Sequence, residues 1–370
     1  MAPPDAESMV TEQSIVSPDR RLLGAMCRFT CGEMDFLQVP KDARAKTAGN
    51  VVRAFLEDRQ TELNGYEPVA SHGGLVAFRR RPSLPPPPPV HGIAPPQCSE
   101  LCVCNPVTGK HVSLPPAKIV DEAFVLIALG DGQFLLHVLN LELADAGMLQ
   151  IRTYSSETGT WGNIVATYAN LPLDSPRRFL RPTPLLLDGV AYFLCESDSE
   201  SLGLHILAVP VNGQWRQPAP IGLPTDVLHA HAKRRFAADE LMLASSTVNG
   251  TRRLTLAEVN MFTITLWTLE NDGLVEPATW TWHSFIDLWK IKVQAGCGLL
   301  SKQKGDRVAL ECFSESSGAV LFHLYCHLLY KLDLQTGKVS LSTVYCKRES
   351  SNMCAYDIED RAILSHTNPK

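Results

Sequence analysis

The sequence lacks any long apolar run. Its most apolar stretches, Ala123 to Leu129 and Phe134 to Leu141, are broken by Gly130, Asp131 and Gly132. Neither approaches the roughly 20 residues that a membrane-crossing helix needs. The first residues, Met1 to Ser8, carry Asp5 and Glu7 and no hydrophobic segment, so they do not read as a secretory signal. These absences lead to the expectation of an intracellular protein, cytoplasmic or nuclear, that does not engage a membrane. An excess of one charge is also missing, since 34 Lys and Arg stand against 39 Asp and Glu for a formal charge of -5. That balance excludes a strongly basic nucleic-acid footprint. With 45% hydrophobic and 20% charged residues, it also excludes general disorder.

The signatures of several chemistries are absent as well. There is no Gly-x-Ser-x-Gly elbow, and Ser71-His72-Gly73-Gly74 reads as a Gly-Gly turn feeding the strand Leu75 to Phe78 rather than as an oxyanion loop. There is no P-loop and no Gly-x-Gly-x-x-Gly opening a helix, so nucleotide binding has no support. The carboxylate neighbours Asp239 with Glu240, and Asp357 with Glu359 and Asp360, fall in turn-like stretches. Cys27-x3-Cys31, Cys98-x3-Cys102-x-Cys104, His229-x-His231, and His323-x3-His327 with Cys326 do not form the two close ligand pairs of a structural zinc site. The 11 cysteines, an odd number in a long chain, fit free thiols in the core better than a disulfide framework. The expectation is therefore no enzyme, no cofactor and no metal, with no catalytic residue to name.

What the sequence does contain is strands. Residues 1 to 20 are polar and proline-bearing and read as a disordered lead-in, leaving 21 to 370 for the fold. A proline-rich stretch at 82 to 96, holding the run Pro85 to Pro89, reads as an extended loop thrown out between two strands. Short β-branched and leucine-rich runs bounded by Gly, Asn, Asp and Pro then recur, among them Leu101 to Cys104, Leu149 to Tyr154, Leu204 to Val209 and Leu328 to Leu334. Helical periodicity is nearly absent, and the best candidate is Gly49 to Leu63, where Val51, Val52, Phe55 and Leu56 lie near one face.

The strands share a turn. Pro106-Val107-Thr108-Gly109-Lys110, Glu157-Thr158-Gly159, Asn212-Gly213, Asp272-Gly273 and Gln335-Thr336-Gly337 place glycines at 109, 159, 213, 273 and 337, with intervals of 50, 54, 60 and 64 residues. A repeat near 50 residues, with about four strands per unit, is the kelch-type period of β-propellers. Tyr154 and Trp161 are spaced as two aromatics that pack between neighbouring blades, and Leu187-Asp188-Gly189-Val190 marks a further tight hairpin. The expected architecture is all-β, a kelch-like propeller of about six blades. Strands at residues 22 to 39 and the Met353 to Leu364 region are the candidates for closing the ring from both chain ends.

One segment is more specific. Val103-Cys104-Asn105-Pro106-Val107-Thr108-Gly109, followed by Leu114-Pro115-Pro116, resembles the CNPxTG and LPP segment of the F-box-associated β-propeller of plant F-box proteins, their grass branch above all. Ala70 to Val76, Leu187 to Tyr192 and Leu334 to Lys338 fall in the order that family shows, so the resemblance spans roughly residues 66 to 345. It implies a propeller that presents loops to a protein substrate, attached to an upstream F-box bundle that docks on the adaptor of an SCF-type ubiquitin ligase. Residues 1 to 60 do not open in the Leu-Pro-Asp manner of an F-box. The adaptor is thus a partner only if a divergent F-box exists. The remaining readings are an F-box-less decoy or non-ligase scaffold, and behind them a propeller enzyme or carbohydrate-binding module.

Two further features bear on partner contact. Basic triplets at Arg79 to Arg81, at Lys233 to Arg235 and around Arg177, Arg178 and Arg181 are isolated in an acidic chain and lack the aromatic interleaving of single-strand binders. Trp280, Trp282 and Trp289 form a cluster in which Trp280 and Trp282 share a strand face, read as inter-blade packing with an interaction hot spot as the alternative. The substrate-binding residues stay unknown at this level, because they lie on loops that the fold does not dictate.

Overall fold

A computed structural model describes residues 20–29, 34–39, 43–80, 99–119, 123–142, 148–168, 176–197, 203–211, 217–234, 237, 239–271, 277–288, 308–324, 328–345 and 350–359. All but Arg20 of the polar lead-in, and the whole proline-rich stretch at 82 to 96, lie outside them. The first described elements are β1 (Arg20–Phe29) and β2 (Met34–Gln38), then helix α1 (Ala43–Asp58). Blade 2 follows as β3 (Tyr66–His72), β4 (Leu75–Arg80), β5 (Glu100–Asn105) and β6 (Lys110–Leu114). Blade 3 holds β7 (Ala123–Gly130), β8 (Gln133–Glu142), β9 (Met148–Ser155), and the short β10 (Thr160–Trp161) and β11 (Val165–Tyr168), which both pair with β9. Blade 4 is built from β12 (Pro176–Phe179), β13 (Leu185–Leu187), β14 (Val190–Ser197), β15 (Leu204–Pro210) and β16 (Ala219–Gly222).

Helix α2 (Thr225–Arg234) leads into blade 5, the meander β17 (Leu241–Val248), β18 (Thr251–Asn260), β19 (Thr263–Leu269) and β20 (Trp280–Asp287). Blade 6 is β21 (Val308–Ser314), β22 (Ala319–Leu324), β23 (Leu328–Asp333) and β24 (Val339–Tyr345). The last described strand, β25 (Ser350–Glu359), returns to pair antiparallel with β1, so blade 1 has the order β2-β1-β25 and joins the first and last described strands.

Packing proves the ring. Six apolar clusters occupy six blade interfaces: blades 1 and 2 with α1, then 2 and 3, 3 and 4, 4 and 5, 5 and 6, and 6 with 1. Period-two alternation supplies each blade with two apolar faces. In β18, Leu254 and Leu256 turn to blade 4 while Ala257 and Val259 turn to blade 6. Each fully buried Leu, Ile or Phe in these layers is worth about 1.5–3 kcal/mol. The fold is a six-bladed β-propeller.

The turns follow from their residues. In the β5–β6 turn, the Asn105 side chain accepts hydrogen bonds from the amides of Val107 (3.2 Å) and Thr108 (3.1 Å), and Gly109 takes a φ of 72°. Asp333 does the same for Gln335 (3.1 Å) and Thr336 (2.9 Å) before Gly337 at 66°. The side chain imitates a backbone turn, and the glycine enters the left-handed region without steric cost. Asp188 and Gly189, at 49° and 74°, form the two-residue hairpin that the sequence marks. Of the other repeat glycines, Gly159 sits at 67° and Gly213 and Gly273 lie outside the described residues.

Helix α1 stands six residues earlier than the sequence pattern places it. Its inward stripe is Ala45, Ala48, Val52, Phe55 and Leu56, all buried against blades 1 and 2. Alanine carries little hydrophobic signal but is the best helix former, so the first turns were hidden from a periodicity reading. Helix α2 is absent from that reading altogether. It begins after Pro224, with the Asp226 carboxylate in its first turn, where the helix dipole favours negative charge.

Candidate interaction site

Among the described residues, the ring axis gathers polar groups and the outer part of blade 5 exposed aromatic ones. At the axis, the segment between β12 and β13 ties separate blades together. The Arg181 guanidinium donates to the carbonyl oxygens of Leu241 (3.0 Å), Leu310 (2.6 Å) and Glu311 (3.0 Å), reaching from blade 4 to blades 5 and 6. Thr183 donates to the Val69 carbonyl (3.1 Å) in blade 2, and the Phe124 amide of blade 3 donates to the Pro182 carbonyl (3.2 Å). In return, Glu315 of blade 6 accepts from the Leu186 amide (2.9 Å) of blade 4. Burial pulls the Arg181 pKa down, while Glu311 and Asp239 push it back up. The ion therefore acts as a fixed multiple donor to carbonyls.

Further titratable groups of the inner strands are tied to neighbours. Glu67 and Arg79 form a buried ion pair (2.9 Å), with Arg79 over the Phe124 ring at 5.3 Å. His323 Nδ1 lies 2.7 Å from the Glu311 carboxylate. Asp357 accepts from Ser314 Oγ (2.7 Å) and the Ser316 amide (3.4 Å), fastening blade 1 to blade 6. Burial pushes the Cys354 thiol up to about 12 and raises Cys312 as well, which leaves both as unreactive thiols.

The residues weighed from the sequence fall into place individually. Ser71 Oγ donates to the Ala355 carbonyl, and His72 Nδ1 accepts from the Ala128 amide (3.0 Å), so this pair knits blades 1, 2 and 3. Cys102 and Cys104 share a strand face, both buried opposite α1, and their mutual hydrogen bond together with burial pushes the Cys102 thiol up. Cys31, Cys98, Cys326 and His327 lie outside the described residues. Among the described residues, no three His, Cys, Asp or Glu side chains gather around one point. Of the basic triplets, Arg79 is buried with Glu67, Arg80 pairs at the surface with Glu100 (3.4 Å), and Arg178 pairs with Glu196 (2.7 Å). Arg81 and Arg235 lie outside the described residues.

The tryptophan cluster divides. Trp280 packs against blade 4 and donates from Nε1 to the Gly222 carbonyl (2.7 Å), as Trp161 does to the Pro115 carbonyl (2.6 Å). Both are inter-blade anchors. Trp282 is different: it is 52% exposed and stacks on Phe285, 59% exposed, with centroids 6.2 Å apart and planes at 17°. Trp289 lies outside the described residues.

Residues three apart on a regular strand point to opposite faces. Here the β19–β20 register shifts between Leu266 and Trp267, so that Trp282 stands opposite Trp267 and Phe285 opposite Thr265. The bulge places both rings on one face. The resulting rows across β18, β19 and β20 are Leu256, Trp267, Trp282; then Glu258, Thr265, Phe285; then Asn260, Thr263, Asp287. Trp267 donates from Nε1 to Glu258 (3.3 Å) and is half-buried beside α2. The other exposed large apolar residues among the described ones, Val112, Leu129, Ile164, Met261 and Leu341, sit on separate strands and turns. Sequence reasoning singled out Trp282 but not Phe285, because its partnership depends on a bulge that no local pattern announces.

No helix among the described residues is long and apolar enough to cross a membrane. Among solved structures, the chain is similar to a candidate 6-phosphogluconolactonase from Bacteroides fragilis, with TM-score 0.35, 12% identity, and 69% of this chain and 63% of that one covered. It is similar to an exo-β-1,3-galactanase from Phanerochaete chrysosporium, with TM-score 0.37, 10% identity and coverage of 90% and 70%. A puromycin-hydrolyzing peptidase from Mycobacterium tuberculosis gives TM-score 0.40 and 10% identity, covering 84% of this chain and 41% of the peptidase. The chain thus spans less than two thirds of the first and third of these proteins, and likenesses this distant transfer none of their activities. No curated protein matches it in sequence. The family model described as a domain of unknown function, DUF7595, matches residues 26–369, and the chain belongs to that family.

Proposed function

We propose that this propeller is a protein-recognition module rather than an enzyme, akin to the F-box-associated propellers that select substrates for SCF-type ubiquitin ligases. The observation that carries the reading is the stacked, exposed Trp282–Phe285 pair on β20, the outermost described strand of blade 5. Leaving two large rings in water forfeits several kcal/mol of burial, and contiguous exposed aromatics are the commonest anchors of protein interfaces. The polar groups at the axis point the same way, since Arg181, Glu315 and Thr183 already serve to join the blades. The Asn105 to Gly109 turn and the Leu114-Pro115-Pro116 segment supply the likeness to the F-box-associated family.

Two measurements test this. The full chain and a Trp282→Ala, Phe285→Ala double variant are each expressed with an affinity tag in cells, and the retained proteins are compared after confirming equal melting temperatures. Proteins held by the wild type and lost by the variant support recognition at this surface, while identical sets reject it. Co-purification with the SCF adaptor, against a control carrying a known F-box fused before Met1, tests ligase membership. Binding by the control alone leaves a recognition propeller that does not itself join a ligase.

A further inference from the structure

We infer that Cys102 and Cys104 of blade 2 form a two-sulfur site for a soft monovalent metal ion, copper(I), beneath helix α1. The site is separate from the aromatic face of blade 5 and does not depend on the recognition reading.

The strand sets the geometry. Cys102 and Cys104 lie two apart on β5, opposite Phe78 and Val76 of β4 and opposite Ser113 and His111 of β6. Residues two apart on a strand point to one face, and both side chains join the cluster under α1, 5% and 2% exposed. The sulfurs are close enough to share a hydrogen bond. With a rise of about 3.3 Å per residue, the two Cα atoms stand about 6.6 Å apart, at the far end of the span of a disulfide. A metal bridge is longer, because two metal–sulfur bonds of about 2.3 Å in line hold the sulfurs roughly 4.6 Å apart. The pair therefore suits an inserted ion better than a covalent S–S bond.

The donors select the ion. Two thiolates are soft ligands, the kind that favours copper(I). The hydrogen bond to Cys104, together with burial, keeps the proton on Cys102, and the ion takes the place of that proton between the sulfurs. On binding, each thiol releases its proton to solvent and each sulfur gives an electron pair to copper, so the complex is singly negative. A cation stands beside it. The Arg59 guanidinium is near enough for its charge to act at Cys104, and it is held in place by Glu62 (2.7 Å) and by His111 Nδ1 (3.0 Å). His111 stands directly opposite Cys104 on the exposed strand β6, so an imidazole, itself a copper ligand, lies at the solvent side of the pair.

The test titrates the full chain, reduced and under argon, with copper(I) in competition with bicinchoninate, a coloured chelator. The wild type should take up a single ion, and X-ray absorption at the copper edge should show two sulfur neighbours. Cys102→Ala and Cys104→Ala should each weaken uptake by more than about a hundredfold, beyond the loss that an outer partner causes, and Arg59→Gln should weaken it about tenfold. Cys195→Ala and Cys312→Ala, which alter buried thiols in other blades, should leave it unchanged. Copper should also raise the melting temperature of the wild type and not that of the Cys102→Ala, Cys104→Ala double variant. Melting curves without copper show which variants are folded. Should a cysteine variant fail to fold, the wild type still decides, since nitrogen or oxygen neighbours at the copper edge overturn the inference. Uptake that folded cysteine variants retain, uptake spread over several ions per chain, or no uptake at all overturns it as well.

Discussion

Gly24 marks a point where the chain has no room for a side chain. A Cβ built there would meet the Leu37 carbonyl oxygen, and it would come within 2.7 Å of Phe36 Cζ. The first obstacle is backbone held in the β1–β2 ladder and the second is a ring with no exposed surface. Neither can step aside, so Gly24→Ala should cost about 3 kcal/mol through overpacking, read as a lower urea midpoint with an unchanged slope. His137 is a second residue with a measurable signature. It is 2% exposed beside Thr153 Oγ1 at 2.8 Å, and burial lowers its pKa to about 4. The unfolded chain takes up a proton near the ordinary value of 6.5, while the folded chain resists until about 4. Stability is therefore full above 6.5 and erodes as the pH falls toward 4, by at most about 3 kcal/mol for this group. Urea melts of the wild type and His137→Asn at pH 7 and pH 4 should show the smaller drop in the variant. An equal drop would mean that the imidazole is already protonated in the native ring.

At the scale of elements, the β20 bulge decides whether two aromatics form a surface or are parted by the sheet. Exchanging the neighbours, Ser284→Phe with Phe285→Ser, keeps composition and moves the ring to the opposite face, since Ser284 stands opposite Leu266. The stack should vanish from the near-ultraviolet circular dichroism while the far-ultraviolet spectrum stays the same. A retained aromatic signal would show that the register differs from the one described. The same strand shows how far the sequence could be read. Alternation put Trp280 and Trp282 on one face, and the inter-blade role holds for Trp280, whose indole bonds to Gly222. It could not show that Trp282 stays in water, because burial depends on the neighbouring blade. Strands and their Asn-, Asp- and Gly-bearing turns were legible because their determinants are local, as at Asn105 and Asp333. Helix α2 was not, since a ten-residue amphipathic segment is set more by tertiary packing than by its own pattern. Arg181 appeared as one of several scattered arginines, yet its acceptors lie 60, 129 and 130 residues away.

For the molecule as a whole, the ring depends on one late strand. β25 is the innermost member of blade 1, pairs along most of β1, and places Met353, Cys354, Ala355, Tyr356 and Ile358 in the core. Tyr356 also donates to the Gly74 carbonyl (3.2 Å) in blade 2, while Asp357 holds Ser314 in blade 6. The strand thus bonds to three blades at once. Its buried side chains contribute on the order of 10 kcal/mol, comparable with the 5–15 kcal/mol net stability typical of a folded domain. A chain ending at residue 349 should lose its cooperative thermal transition, although most of the blades would be covalently intact. Because the missing piece is one strand with a defined register on β1, a synthetic peptide spanning residues 350–363 should restore the transition in a concentration-dependent manner. Restoration by that peptide but not by a scrambled one would establish that closure, rather than the stability of individual blades, holds the propeller together. A truncated chain that melts like the full one would show that five blades are self-sufficient and that the terminal strand only seals an edge.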